Sequence, residues 1–118
     1  MIVAIFRRRL KEGLTFTDFR EAWEAEKGFG VPARVIAATS LEDPREVLTV
    51  GFVDIDPREL APSEENVAEQ EAIRHSRIDE VIESTELKAF YAVNSEHDFS
   101  SDPREVEVGS AESILSRL

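Results

Sequence analysis

Three polar residues, Glu71, Arg74 and His75, stand at spacings of three and four in the sequence. On a helix these spacings bring one carboxylate within reach of both a guanidinium and an imidazole. A histidine oriented by a carboxylate can act as a general base or bind an acidic or phenolic molecule, and an adjacent arginine can hold an anion. Equally, the three side chains satisfy one another at a solvated helix edge. Phe16, Phe19 and Trp23 fall at i, i+3 and i+7, so they share one helical face. Such a stripe is either core packing or the apolar wall of a pocket for a planar ligand. Tyr91, in a β-rich segment, could donate a hydrogen bond into that pocket or serve as an ordinary core or interface tyrosine. His97, in the stretch Ser95-Glu96-His97-Asp98, reads as an exposed loop histidine.

Composition removes several chemistries. The chain has 118 residues, no cysteine and two histidines. Disulfides, thiolate metal sites and a cysteine nucleophile are therefore excluded, and no metal site is expected. There is no glycine-rich phosphate loop, no HExxH and no GxSxG. The net charge is −11, and the only basic cluster is Arg7-Arg8-Arg9. Nucleic-acid binding needs clustered cations that replace phosphate counterions, so this balance argues against it. The arginine run reads as a solvated strand end, with an anionic small molecule as the alternative partner. The opening MIVAIFRRRL is too short for a secretory core and carries its charges on the wrong side. No apolar stretch is long enough for a membrane span. The expected location is the cytoplasm, with no membrane partner.

The elements that must position these residues follow from periodicity. Residues 2–8 alternate with apolar side chains on both faces, as in a strand covered on both sides. Thr15 or Thr17 caps a helix expected to run to about residue 27, Thr15 and Asp18 having capping-box spacing. Gly28-Phe29-Gly30 and Pro32 end that helix. Strands are expected at 34–39 and 47–54, joined by a polar turn containing Asp43-Pro44, with Gly51 marking a bulge or a close backbone approach. A second helix, capped by Ser63, is expected over 64–84, with Val67, Ile78, Val81 and Ile82 on its inward arc beside Glu71, Arg74 and His75. A last strand spans 87–93. Residues 1–94 form the domain. Residues 95–118 form an extension in which 100–103 is a linker, Val106 and Val108 lie in a short edge strand, and Ser110 caps a final turn carrying Ile114, Leu115 and Leu118.

The order β-α-β-β-α-β specifies an α+β, ferredoxin-like unit: a four-stranded antiparallel sheet with both helices on one face. The other face should then be polar if it were wet. It is not, since Leu48, Val50 and Phe52 oppose Val47 and Val53, and Phe90 and Ala92 oppose Ala89, Tyr91 and Val93. A large apolar sheet face marks an interface, and the simplest partner is a second copy. In this order of elements, and in the segment Ile73-Arg74-His75-Ser76-Arg77-Ile78 ahead of a final Tyr-containing strand, the chain resembles the dimeric α/β-barrel superfamily. Within it, the chain is most similar to antibiotic-biosynthesis-monooxygenase-like proteins, over residues 1–94. The resemblance implies a homodimer and a cofactor-independent oxygenase acting on an aromatic or polyketide-like substrate. With that reading, His75 and Tyr91 are the catalytic candidates, and Trp23, together with Phe19, Glu71 and Arg74 from the helical spacing, the substrate-binding ones. Haem-degrading relatives pair their histidine with a first-strand asparagine and a second-helix tryptophan. Both are missing here. The alternative is a non-catalytic module that binds a small ligand or a protein.

Overall fold

The computed structural model describes residues 1–23, 31–59 and 68–117. Four strands, β1 (Ile2–Leu10), β2 (Ala33–Thr39), β3 (Glu46–Val53) and β4 (Ile82–Ala92), form one antiparallel sheet in the order β2-β3-β1-β4. Among the described residues, α1 (Phe16–Ala22) lies between β1 and β2, and α2 (Ala68–Asp79) between β3 and β4. The result is an α+β domain compatible with a ferredoxin-like unit. Strands separated by a helix are parallel to each other and have an antiparallel neighbour between them, so every adjacent pair is antiparallel.

Local chemistry explains the entry to α1. Gly13, at φ +83°, turns the chain off the end of β1. The Thr15 backbone N–H then donates to the Asp18 carboxylate at 2.7 Å, so the capping box expected from the spacing is present. The helix stops earlier than its sequence suggests. Trp23 already has extended backbone, at φ −68° and ψ 117°. Residues 24–30, which include the expected glycine stop signal, lie outside those described.

The core lies between the helices and the sheet. Leu10 of β1, Phe19 of α1, Val47 of β3, Ile78 of α2 and Ile82 of β4 are buried together, with Leu14, Phe16, Trp23 and Val81 packed around them. Both helices therefore cover the same face. The inward arc expected for a long second helix needs correction: Val81 and Ile82 belong to the core, but not as helical residues. The helix ends at Asp79, where Glu80 and Val81 donate to the carbonyls of Arg77 and Ile78 and tighten the last turn. The Lys11 N–H then donates to the Val81 carbonyl at 3.0 Å, and Ile82 pairs with Leu10. Unsatisfied β1 backbone groups thus draw residues 82–86 into the sheet, where their helical period would have kept them out.

No bulge occurs at Gly51, whose pairing with Ala4 and Val35 is in continuous register. The irregularities fall on β4 instead. Its register on β1 skips Glu86, between the Arg7–Leu87 and Arg8–Thr85 pairs, and Glu83, between the Arg9–Ser84 and Leu10–Ile82 pairs. Both skipped residues ion-pair with β1: Arg7 with Glu86 at 3.3 Å and Arg9 with Glu83 at 3.5 Å.

The extension is more ordered than a linker and a loose turn. Strands β5 (Glu96–Asp98) and β6 (Arg104–Val106) make an antiparallel hairpin, with the residues expected to be a linker as its loop. A 3₁₀ turn at Ile114–Arg117 folds back on it. The Glu96 carboxylate accepts from the Ser113 hydroxyl at 2.5 Å and the Ile114 N–H at 2.9 Å, while Val106 and Leu115 are buried.

Candidate functional site

Phe6 of β1 sits at the centre of a polar and aromatic group on the helix-covered face. The Arg8 guanidinium lies 4.5 Å from its ring centroid, and the His75 ring is centred 6.1 Å away. Phe90 meets Phe6 edge-on at 6.2 Å, and Lys88 Nζ is 5.9 Å from the ring. Strand geometry accounts for this convergence. Phe6 and Arg8 are two apart on one strand and so share a face, and Phe6 pairs with Lys88 across to β4.

A second aromatic–cation group continues from the first. Arg8 also lies 6.0 Å from the Phe19 ring; Phe19 is centred 6.1 Å from Trp23; and the Arg74 guanidinium is 5.3 Å from the Trp23 ring. Arg74 and His75 are neighbours on α2. The contacts, together with the chain link from Arg74 to His75, join six residues in a circuit: Phe6 and Arg8 of β1, Phe19 of α1, Trp23 just past its end, and Arg74 and His75 of α2.

Burial makes this circuit unusual. Arg8 is 3% exposed and Arg74 2%, in a chain of net charge −11. Desolvating a guanidinium costs several kcal/mol after relaxation. A cation over an aromatic face returns about 0.5 to 2 kcal/mol. Both arginines have further interactions besides; for Arg8 one is a hydrogen bond from Nη1 to the buried Thr49 hydroxyl at 3.3 Å. Of the six residues only Phe6, Trp23 and His75 are half-buried and the others are buried, so a planar molecule carrying a carboxylate or phenolate would meet the group at those three, with the guanidiniums behind them.

The structure brings together four of the residues picked out by type and spacing: Phe19, Trp23, Arg74 and His75. It separates Tyr91 from them. Tyr91 pairs with Val3 and so projects from the other face of the sheet, where it is 52% exposed. The side chain of Glu71 lies outside the described residues. Arg8, Phe6 and Thr49 carry the site without having been singled out. The run Arg7-Arg8-Arg9 reads as one solvated patch, yet strand alternation sends Arg7 and Arg9 to one face and Arg8 to the other, beneath the helices. That alternation was the available signal.

The face opposite the helices has a different character. In rows along the strands it presents Val3 with Phe52, Tyr91 and Arg34; Ile5 with Val50, Ala89 and Ile36; and Arg7 with Leu48, Leu87 and Ala38. None of these is buried. The row beyond is charged: Arg9 donates to Asp43 at 2.6 Å, and Arg45 meets Glu83 at 3.4 Å. The Arg9 hydrogen bond, with help from the Arg45 backbone N–H, holds the Asp43 carboxyl below its ordinary range.

Among the described residues no helix is long and apolar enough to cross a membrane. No family model, curated protein or solved structure matches the chain.

Proposed function

We propose that this protein is a small-molecule-binding homodimer, built as a dimeric α/β barrel from two ferredoxin-like units meeting through their uncovered sheet faces. Each protomer holds its ligand in the circuit formed by Phe6, Arg8, Phe19, Trp23, Arg74 and His75. The observation that carries the ligand reading is the burial of Arg8 and Arg74 against aromatic rings. A scaffold needing only stability gains little from two buried guanidiniums, because hydrocarbon of the same volume does as well or better. The ligand class is a planar aromatic acid or phenol. As a cofactor-independent oxygenase, the protein would use His75 to take the phenolic proton. Dioxygen would then oxidise a ring C–H carbon of the anion to a quinone carbonyl. One oxygen atom becomes that carbonyl, and the other leaves as water with the two hydrogens the substrate gives up, one from the phenol and one from the carbon, so the substrate is its own reductant. Tyr91 stands on the dimer side of the sheet and takes no part with His75 of its own chain.

Trp23 is the only tryptophan in the chain, so its fluorescence reports on this site alone. Titration with a panel of hydroxylated aromatic acids and quinones should quench it. Arg74→Lys keeps the charge but loses the planar fork, and should weaken the response about tenfold or more, in line with roughly 1.5–3 kcal/mol for a charge-assisted hydrogen bond. An oxygen electrode then separates the two readings of the bound state. Dioxygen uptake that His75→Ala abolishes marks a catalyst, and quenching without uptake marks a binding module. A panel that leaves Trp23 emission unchanged removes the ligand site.

A further inference from the structure

The C-terminal extension is a preformed surface that its own chain leaves partly unused. Its hairpin and 3₁₀ turn are fastened by the Glu96 contacts and by Arg104, which donates to Glu112 at 2.5 Å and to Asp98 at 3.2 Å. With Val106 and Leu115 turned inward, Phe99 and Ile114 face out at 73% and 78% exposure. The chain is correspondingly extended, with a Cα radius of gyration of 15.7 Å. A compact domain of this length would have about 13.5 Å.

We propose that the extension docks on a second copy of this chain, covering the outer edge of the partner's β2 and setting Phe99 and Ile114 against the partner's Ile36. This rests on the face-to-face dimer proposed above. Four observations lead to it.

The first is the direction of the two-fold axis. The uncovered face is mostly apolar in the Val3 and Ile5 rows, sets Arg7 beside Leu48 and Leu87 in the next, and is charged in the Arg9 row. An axis along the strands lays apolar rows on apolar rows and keeps the charged ends level. An axis across the strands would set the Arg9 row of one chain over the Val3 row of the other, at the cost of burying charge against hydrocarbon. Rotation about the first axis places β4 over the partner's β2. Since the extension leaves β4 at the Ile2–Ala92 end, it arrives beside the start of that β2.

The second is the state of that edge. Among the described residues β2 is paired on one side only, by β3. Its sequence, Ala-Arg-Val-Ile-Ala-Ala-Thr, has neither proline nor lysine, and Ile36 is 56% exposed. Long apolar edges of this kind are normally covered. The third is charge: residues 95–118 carry six carboxylates against two arginines, whereas the one charge on β2 is the exposed Arg34.

The fourth is area. Three rows of four strands project to about 400 Å² per chain at ordinary strand spacings. The pair would bury roughly 800 Å², short of the roughly 1,000 Å² that a specific interface requires. The two extensions supply the remainder.

Two experiments on the full chain test this. Sedimentation equilibrium should show a dimer whose dissociation constant rises at least tenfold in the Phe99→Ser, Ile114→Ser double variant, with an unchanged far-ultraviolet spectrum. In a chain that lacks native cysteine, Phe99→Cys combined with Ile36→Cys should give an oxidised species of twice the chain mass on a non-reducing gel. If the wild type is a dimer and the double variant associates equally tightly with no cross-link, the docking proposal is overturned and the sheet-to-sheet dimer survives. A monomeric wild type overturns both.

Discussion

Val50→Asp is the most direct probe of the uncovered sheet face. Val50 occupies the middle row of that face, paired with Ile5 on one side and Ile36 on the other. In the free chain the position is only half-buried, so a carboxylate there keeps its water and the fold loses no more than a β-propensity difference of about 1 kcal/mol. In the dimer the same carboxylate lies under the partner's sheet, and the two-fold axis places a second one nearby. Burying an unpaired charge costs several kcal/mol. With about 3 kcal/mol for each of the two, the dissociation constant should rise by about four orders of magnitude, at 1.4 kcal/mol per factor of ten. Light scattering at micromolar concentration should give the mass of one chain, 13.3 kDa, for the variant and twice that for the wild type. Urea unfolding, extrapolated to the monomer, should be nearly unchanged. A variant that remains as tightly dimeric as the wild type would refute the argument, since no arrangement of those faces shelters the introduced carboxylate from the partner.

Two further outcomes follow from the packing and the surface charges. Leu10→Ala removes a fully buried side chain from the meeting point of β1, β4 and the helices, and should lower unfolding stability by about 2–5 kcal/mol in a urea titration. The carboxyls of Asp43, Asp56 and Asp98 are each held below their ordinary range by hydrogen bonds, from Arg9, Arg58 and Ser100 respectively. Their contribution is present above the unfolded pKa of about 3.9 and fades as pH falls through the lower folded values, so urea midpoints should decline from pH 5 towards pH 2, and Asp43→Asn should flatten part of that slope.

The sheet was legible because alternation is a local signal. β2, β3 and the start of β1 fall within a residue or two of where period-two patterning places them. The end of the second helix is not legible in this way, because Val81, Ile82 and Thr85 continue a helical period as well as they begin a strand. What decides between the two is hydrogen bonding to Leu10 and Lys11, some seventy residues away, and no window on the sequence contains it. Site residues followed the same division. Phe19, Trp23, Arg74 and His75 were visible because helical spacing groups them on neighbouring faces. Arg8 is harder to see, because three consecutive arginines look like one charged patch, although a strand must split them. Tyr91, which reads either as a pocket donor or as a core or interface tyrosine, lies on the face away from His75 because its partner on β1 is Val3, and the bulges of β4 make that register hard to count from the sequence.

Those bulges have a consequence for how this protein can go wrong. An open sheet has two edges, and a chain whose edges are complementary can add copies end to end without limit, as fibrils do. Here the edges are unlike. At one end of β4, the skipped Glu83 and Glu86 bend the strand out of regular geometry, which spoils its free edge as a template for another strand. The other edge, β2, is regular. Growth by alternating one edge with the other is therefore blocked at every second step. A contact between two β2 edges would be used up once two chains had met, and it is closed off altogether where a partner's extension covers that edge.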